Sequence, residues 1–346
     1  MEKLPTNHAL IMLPKETIIA FINRMMMMTT TTPIRPRARE NQDDTLSVLV
    51  GMGYNAEEVL TAIDKLGQDE DITELIDHIC AARFLYEVEP EFVDSIHFCA
   101  AARKRGHIHN LPITNRIPLL PIPPLTIQEA HGEIRRDVER YGGDEPAPHV
   151  KKNVLEEIRK WNLVWAGKNK VASLDPDELE FLLGFPKGHT RGICTTNRHV
   201  ALGNSFEVDT VAYHLLVLKG RYPNGINVLS LFSGIGGAEV ALHRLGIRLR
   251  NVVSVEKSEA SKDILRNWWE QTNQQGNLIE VEDVEKVTVE RVEQWMSQFG
   301  GFDIVIGGSP CNNVAGGNRD SRDGLAGEQS LLFFDYSRIL DLVKSI

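Results

Sequence analysis

The chain has 346 residues, of which 42% are hydrophobic and 25% charged, as is ordinary for a globular protein of two or three domains. No stretch of eighteen apolar residues occurs, which argues against a membrane-spanning helix and a membrane partner. The four cysteines, at positions 80, 99, 194 and 311, form no CxxC pair, so no metal site and no disulfide framework is expected.

The formal net charge of −10 is concentrated in one segment. Residues 41–82 hold ten Asp or Glu and one Lys, which gives this segment alone a charge of −9. Two other stretches, 98–120 and 187–199, carry basic side chains and no acids. Local basic patches can neutralise phosphates although the total charge is negative, so Arg191 and Arg198 are candidate DNA-binding residues. A solvated surface is the alternative.

Residues 1–43 are expected to form a disordered tail. The runs Met25–Met28 and Thr29–Thr32 have low complexity, and the apolar patches before them are broken by Pro14, Lys15 and Glu16. That interruption argues against a secretory signal. The basic residues within Arg35–Arg39 are either a nuclear address or part of a solvated tail.

Residues 44–82 are expected to form three short helices. Val59, Leu60, Ile63 and Leu66 recur at helical spacing around a turn at Met52-Gly53-Tyr54. The segment resembles a ubiquitin-associated domain, whose characteristic loop matches those three turn residues. The resemblance implies ubiquitin as a partner; a helical spacer that binds nothing is the alternative.

A Trp-bearing segment near 150–183 is expected to be helical, and residues 226–346 then alternate strand and helix. Strands are predicted at Ile226–Phe232, Asn251–Glu256 and Phe302–Ile306. Helices are predicted at Gly237–Leu245, through Ile264–Trp269 and at Leu331–Val343. The alternation predicts an α/β fold, with a parallel sheet covered by helices on both faces.

A Gly-rich turn, with Phe232, Ser233, Gly234 and Gly236, follows the first of these strands. Glycines let backbone N–H groups approach a ligand at a helix N-terminus. Glu239 stands in place of the third glycine of a dinucleotide motif, which argues against a pyrophosphate.

Two acids follow the next two strands. Glu256 stands twenty-two residues after Gly234, where a carboxylate can accept both ribose hydroxyls, and Asp283 stands where a third strand should end, within reach of an adenine amine. Together the turn and the two acids predict S-adenosyl-L-methionine as the cofactor.

Cys311 lies in the loop Ser309-Pro310-Cys311-Asn312-Asn313, at the carboxyl end of a predicted strand. Ligands bind at that edge of open α/β sheets. A thiolate there can add to C6 of cytosine, which makes C5 nucleophilic toward a methyl group. The cytosine must first be flipped out of the duplex, and the following loop, with Arg319 and Arg322, is long enough to close over DNA.

The Gly-rich turn together with the cysteine loop resembles the signature of the cytosine-C5 DNA methyltransferases. Leu202-Gly203-Asn204-Ser205 precedes the cofactor strand here. That order is similar to the plant domains-rearranged methyltransferases, which also carry ubiquitin-associated domains. The resemblance covers roughly 44–346. It implies a Rossmann-like methyltransferase sheet in circularly permuted order over 84–346, with base-contacting and target-recognition blocks in 84–225 and cofactor and cysteine blocks in 226–346.

The resemblance also implies roles for individual residues. Arg103 and Arg105 match an Arg-x-Arg block that contacts the flipped base and the reaction centre. Asn204 and Ser205 would lie near the methionine end of the cofactor, and Pro310 would also contact it. Residues 111–190 would recognise the target in double-stranded DNA, and de novo methylation places the protein in the nucleus.

One family element is missing. A Glu-Asn-Val segment, whose Glu holds the cytosine ring, should precede Phe84, but no such segment occurs. We expect the sheet to lose the interior strand beside the Cys311 strand, through a skipped exon or in an inactive paralogue. The alternative to an active enzyme is a weak or inactive relative that serves as a DNA-binding accessory subunit of a methyltransferase partner. A methyltransferase for RNA or a small molecule is disfavoured by Cys311, Arg103 and Arg105.

Overall fold

The computed structural model describes residues 19–23, 42–51, 56–67, 75, 79, 91–100, 103–113, 116, 119, 163–167, 170–309 and 328–346. Its strands are β1 (Ile19–Asn23), β2 (Glu91–Asp94), β3 (Lys104–His109), β4 (Leu163–Gly167), β5 (Lys170–Ser173), β6 (Ile226–Leu231), β7 (Leu249–Val255), β8 (Asn277–Val281) and β9 (Ile304–Gly307). Its helices are α1 (Gln42–Gly51), α2 (Ala56–Leu66), α3 (Pro176–Leu182), α4 (Thr195–Gly203), α5 (Val208–Leu215), α6 (Gly237–Arg244), α7 (Glu259–Gln271), α8 (Val289–Phe299) and α9 (Glu328–Ser345).

Seven strands form the main sheet, in the order β2-β3-β1-β9-β6-β7-β8. The strands from β1 to β8 in this order run parallel, whereas β3 is antiparallel to both of its neighbours. The prediction of an α/β fold with a parallel sheet is therefore confirmed. Because β6, β7 and β9 are parallel neighbours, their carboxyl ends meet at one edge, and the loops that follow them share that edge.

Helices cover the sheet on both faces, as the alternation predicts. On β6, Val228 packs into the core under α5, α6 and α7, whereas Leu229 packs into the core under α8 and α9. Successive strand residues point to opposite faces, so a fully buried strand such as β6 must be apolar on both. These two cores support the edge at which the loops after β6, β7 and β9 meet.

Strand β1 corrects two expectations at once. Ile19–Asn23 was assigned to a disordered tail, and the sheet was expected to lack the strand beside the Cys311 strand. In the structure β1 lies between β9, to which it is parallel, and β3, to which it is antiparallel. The apolar Ile-Ala-Phe-Ile run follows Pro14, Lys15 and Glu16, so those residues do not interrupt it. Its backbone supplies partners that the edges of β9 and β3 would otherwise lack.

The expected helix near 150–183 is wrong over 163–173, where β4 and β5 pair as an antiparallel ribbon. The β-branched and aromatic residues Val164, Trp165 and Val171 favour strands. Only α3 is helical in that range among the described residues. Other boundaries differ from the predictions by a few residues.

Two of the three helices expected over 44–82 are present as α1 and α2. Leu49, Val59 and Ile63 are buried, and so are Leu75 and Ile79 from the third predicted helix. The rest of that helix and the turn Met52-Gly53-Tyr54 lie outside the described residues. None of the described helices is long and apolar enough to cross a membrane.

Candidate cofactor and catalytic site

The Gly-rich turn after β6 has a sharply curved backbone. Phe232, Gly234 and Gly236 have φ values of 55°, 54° and 81°, and Gly236 forms the N-cap of α6. A Cβ on Gly236 would lie 2.5 Å from Leu265 Cδ1, so the Leu265 side chain would have to shift, and the positive φ of Gly236 itself favours glycine. Ser233 anchors the turn, because its hydroxyl lies 2.6 Å from that of Ser254 on β7. The turn thus presents backbone N–H groups at a helix N-terminus.

Glu256 and the Gly-rich turn are in direct contact, as their spacing predicts. The Glu256 carboxylate accepts a hydrogen bond from the Gly234 N–H at 2.9 Å through Oε2 and one from the Ser258 N–H at 2.8 Å through Oε1. Each carboxylate oxygen keeps a lone pair that can accept a ligand hydroxyl. The acid at the end of β7 and the loop at the end of β6 therefore form one surface.

Asp283 lies at the same edge, two residues beyond the end of β8. Glu256 N–H donates to the Val281 carbonyl at 3.0 Å, which places the two acids on adjacent strand ends. Burial opposes ionisation of Asp283, but the Glu285 N–H and the Lys257 ammonium, 3.2 Å away, hold its pKa below the usual range. The ionised carboxylate can accept hydrogen bonds from an amine.

Arg103 is brought to the Gly-Asn-Ser block. Its buried guanidinium donates to the Gly203 carbonyl at 2.9 Å and to the Ser205 carbonyl at 3.4 Å. Burial lowers the pKa of Arg103, and the charge of Glu207 opposes that shift. The structure therefore joins two predicted site blocks, with Arg103 holding the backbone of residues 203–205. Its contact with a base stays a prediction, as does that of the buried Arg105.

The Gly-Asn-Ser block also reaches the Gly-rich turn. Phe206, which follows the block, lies against the start of α6, where a Cβ on Gly237 would be 3.1 Å from Phe206 Cβ. Ser205 is buried and donates its hydroxyl to the Leu202 carbonyl at 2.8 Å, whereas Asn204 is exposed. Exposure leaves the Asn204 amide available to a ligand.

His189 is a residue that sequence reasoning missed. Its ring stacks on Phe185, with centroids 4.7 Å apart, and its Nε2–H donates to the Ile235 carbonyl in the Gly-rich turn at 2.7 Å. Burial lowers the pKa of His189 despite the opposing effect of that carbonyl, which favours the neutral ring. The four-residue spacing between Phe185 and His189 is the signal that could have indicated this ring contact. It is weak, and the composition of the surrounding segment indicates a basic patch instead.

The two basic residues of that patch differ in their environment. Arg198 is paired with Asp177 and with Glu180 at 2.8 Å, and these carboxylates raise its pKa against the opposing effect of burial. Arg191 has a side chain 64% exposed and a longer contact with Asp177, of 3.3 Å. DNA contact stays a prediction for both, and the geometry favours it for Arg191 alone.

Pro310, Cys311, Arg319 and Arg322 lie outside the described residues, but the strand that leads to them is described. Gly307 at the end of β9 pairs with Leu231 at the end of β6. A Cβ on Gly307 would lie 2.2 Å from the Leu231 carbonyl oxygen, so the two strands approach too closely for any other residue. Cys311 follows four residues later in the sequence, so the described chain leaves β9 beside the Gly-rich turn and leads toward the cysteine loop.

Residues 226–344 match the family of C-5 cytosine-specific DNA methylases. This part of the chain is therefore a C-5 cytosine methyltransferase domain with an α/β fold and a parallel sheet, as expected for a protein that uses S-adenosyl-L-methionine. Within that class, the similarity is to the plant DRM-type enzymes, as individual relatives show.

The chain is 60% identical over 292 residues to the DNA (cytosine-5)-methyltransferase DRM2 of Oryza sativa subsp. japonica, which covers 76% of this chain and 49% of that protein. It is 57% identical over 291 residues to DRM1 of Arabidopsis thaliana, covering 75% and 46%. It is also 39% identical over 300 residues to a probable inactive relative, DRM3 of Oryza sativa subsp. japonica, covering 77% and 43%. The chain spans about half the length of the curated relatives it matches.

Proposed function

We propose that the chain is a de novo type DNA (cytosine-5)-methyltransferase that acts in the nucleus on double-stranded DNA. It transfers a methyl group from S-adenosyl-L-methionine to C5 of a flipped cytosine. The observation that carries this proposal is the contact between Glu256 and the Gly234 N–H, at the edge where β9 leads into the cysteine loop. This contact supports a cofactor site at the ends of β6 and β7, next to the end of β9, from which the sequence continues to the candidate nucleophile Cys311.

The residues at this edge fit S-adenosyl-L-methionine. The positive φ of Gly234 and Gly236 leaves a cradle of backbone N–H groups, Glu256 can accept the ribose hydroxyls, and Asp283 can accept the adenine amine. Phe232, Ser233 and Pro310 complete the proposed cradle, with Asn204 and Ser205 toward the methionine end. When bound, the cofactor supplies an electrophilic methyl group on a sulfonium.

Cys311 would carry the covalent step. Its thiolate forms a bond to C6 of cytosine, and C5 then takes the methyl group. A base removes the C5 proton, and the bond between the Cys311 sulfur and C6 breaks as the double bond re-forms. Arg103, which precedes β3, and Arg105, on β3, would hold the flipped ring, while Arg191, Arg319 and Arg322 would neutralise phosphates.

A second candidate function has its own supporting observation. β1 lies where the strand that carries the family's cytosine-holding Glu is expected, and none of its five residues, Ile19–Asn23, is acidic. A missing acid of this kind typically costs about 10²–10⁴-fold in rate. A weak or inactive chain could then act as a DNA-binding accessory subunit of an active methyltransferase.

The helical region 44–82 would form a ubiquitin-associated domain that binds ubiquitin through Met52-Gly53-Tyr54.

Transfer of a tritiated methyl group to duplex DNA tests the enzyme proposal. The chain should incorporate label, Cys311→Ala should reduce incorporation to background, and Cys194→Ala should leave it unchanged because that cysteine is exposed on α4's N-cap. Equal incorporation by the chain and by Cys311→Ala would overturn the proposed role of the nucleophile.

Ile22→Glu tests why activity would be weak. Position 22 pairs with Gly307 on β9 and with Ile108 on β3, one residue before the end of β1. A carboxylate at this position should raise incorporation about tenfold or more. The gain should disappear in the double variant with Cys311→Ala. No gain, with wild-type incorporation at background, would favour the accessory function.

A further inference from the structure

The His189 ring, in the loop between α3 and α4, makes a single polar contact among the described residues, and that contact is with the Gly-rich turn. Its Nε2 lies 2.7 Å from the carbonyl oxygen of Ile235, and the residue is 7% exposed. A carbonyl oxygen only accepts, so Nε2 carries the proton whatever the charge of the ring. The buried Nδ1 has no hydrogen-bond partner in the part of the chain that the structure describes.

Packing alone does not account for a histidine at this position. The ring stacks on Phe185, at 26° to its plane, and Phe185 belongs to the same buried apolar core as Ile235. A phenylalanine at position 189 could stack in the same way, whereas a buried imidazole nitrogen without a partner costs free energy. The hydrogen bond to the Ile235 carbonyl is therefore the feature that distinguishes histidine from an apolar ring at this position.

The peptide group that His189 contacts lies between two glycines with positive φ. Gly234 and Gly236, on either side of Ile235, have φ values of 54° and 81°. Glycine adopts many backbone conformations, so it does not by itself fix the shape of a turn. The Glu256 carboxylate holds the Gly234 N–H, and the His189 ring holds the Ile235 carbonyl. Because a peptide group is planar, the second contact also orients the N–H of Gly236, the N-cap of α6.

The backbone on both sides of His189 is held by one buried carboxylate. Glu180, on α3, is fully buried and accepts hydrogen bonds from the Gly188 N–H at 2.6 Å and from the Thr190 N–H at 2.8 Å. Arg198, on α4, donates to the same carboxylate at 2.8 Å, so the buried charge is paired. The His189 ring thus projects from a loop that α3 and α4 hold in place.

We propose that His189 is a positioning residue for the cofactor site: its Nε2–H holds the Ile235 carbonyl, and through it the Gly-rich turn, in the shape that receives S-adenosyl-L-methionine. The ring acts through the backbone of the turn and takes no part in the methyl transfer itself. This role rests on the proposed function, because it concerns the same cofactor site. It adds a residue that lies forty-six positions before Ile235 in the chain.

Titration calorimetry of S-adenosylhomocysteine with the whole chain measures the effect of this hydrogen bond. His189→Phe keeps a ring that can stack on Phe185 and removes the donor, so the affinity should fall about tenfold. His189→Gln keeps an N–H donor at a similar distance from the backbone and should retain most of the affinity. If His189→Phe does not fold, His189→Met, which also lacks a donor and adapts to irregular space, should show the same tenfold loss.

His199→Phe is the matched control. The Nε2 of His199 lies 2.9 Å from the Leu174 carbonyl oxygen, so this ring also contacts a backbone carbonyl, but none of its described contacts is with the Gly-rich turn. This variant should bind S-adenosylhomocysteine as tightly as the wild-type chain does. Urea unfolding of the variants shows whether a change in affinity merely follows a change in stability.

Hydrogen exchange followed by mass spectrometry provides a readout that needs no cofactor. Without ligand, residues 232–240 should exchange faster in His189→Phe than in the wild-type chain, because the turn loses one of its contacts. Exchange in β7 should be unchanged, and His199→Phe should match the wild-type chain over residues 232–240. Unchanged exchange of residues 232–240 in His189→Phe would overturn the positioning role.

The binding measurements separate this role from the proposed function. Equal S-adenosylhomocysteine affinity in His189→Phe and the wild-type chain would overturn the positioning role and leave the proposed function intact. A similar loss of affinity in His199→Phe, or in His189→Gln, would indicate a general packing effect and would also overturn it. Failure of the wild-type chain to bind S-adenosylhomocysteine would overturn the proposed cofactor site itself, and the positioning role with it.

Discussion

The Glu256 carboxylate accepts a hydrogen bond from the Gly234 N–H at 2.9 Å, although twenty-two residues separate them in the chain. The contact joins the ends of two parallel strands, β6 and β7, whose registers pair Leu231 with Val255. It holds the acid against the Gly-rich turn and so helps to shape the proposed cofactor site. The first prediction follows from it.

Glu256→Ala should weaken S-adenosylhomocysteine binding about tenfold to a hundredfold, since hydrogen bonds to a charged group typically contribute about 1.5–3 kcal/mol. Titration calorimetry of the purified chain measures the effect. Glu270→Ala is the control, because Glu270 is an exposed acid on α7. Unchanged affinity in Glu256→Ala would remove the cofactor assignment.

Gly236→Ala should destabilise the fold more than Gly246→Ala does. Both glycines have positive φ, of 81° and 73°, but a Cβ would meet Leu265 Cδ1 at 2.5 Å at Gly236 and nothing within 4 Å at Gly246. The backbone strain alone costs about 1–2 kcal/mol, and the steric overlap adds about 1–3 kcal/mol. Urea unfolding measures the difference, and equal losses in the two variants would contradict the close packing of the turn on α7.

Phe21→Pro should lower the free energy of unfolding by about 3 kcal/mol, because proline removes a backbone donor from an interior strand. Position 21 pairs with Ile306 on β9 and with His109 on β3. Thr31→Pro, outside the strand, serves as the control. If both variants unfold at the same urea concentration as the wild-type chain, β1 does not complete the sheet.

Stability should fall as pH drops below about 6.5, the ordinary pKa of histidine in an unfolded chain. Burial lowers the pKa of His189 in the folded state, so below that pH the unfolded chain binds a proton that the folded chain does not. The contribution is fully present above the unfolded pKa and is lost on acidification. His107 and His214 are shifted in the same direction.

The contribution of His189 to the pH dependence of stability is therefore measured as the difference between the wild-type chain and His189→Gln. The free energy of unfolding should fall less steeply from about pH 7.5 to about pH 5 in His189→Gln than in the wild-type chain. Parallel pH profiles would contradict a neutral, buried ring at this position.

Arg198→Gln and Arg191→Gln should separate structure from DNA contact. Glu180 is fully buried and accepts hydrogen bonds from Gly188, Thr190 and Arg198, so loss of the Arg198 charge should cost about 3 kcal/mol of stability. Arg191→Gln should leave stability unchanged and reduce the salt dependence of DNA binding by about one phosphate contact. A reduced salt dependence of DNA binding in Arg198→Gln, with a loss of stability in Arg191→Gln, would show that Arg198 is the residue that reaches DNA.

The sequence alone determined the α/β class, the Gly-rich turn and the two acids that follow the next strands, because these depend on local patterns. Strand periodicity, glycine spacing and the position of an acid after a strand are read within about thirty residues. Glu256 and Asp283 lie at the edge where those patterns predict them. The family match over 226–344 covers this same part of the chain.

The tertiary structure alone decided which distant segments meet. Local sequence places Ile19–Asn23 in a tail, because nothing near it shows that a strand must lie between β9 and β3. In the sequence, His189, Arg198 and Arg116 stand in basic stretches. In the structure, each contacts partners from other elements. Burial and the need to satisfy buried polar groups are properties of the assembled core. They determine pairings between residues more than a hundred positions apart, and no local sequence pattern contains that information.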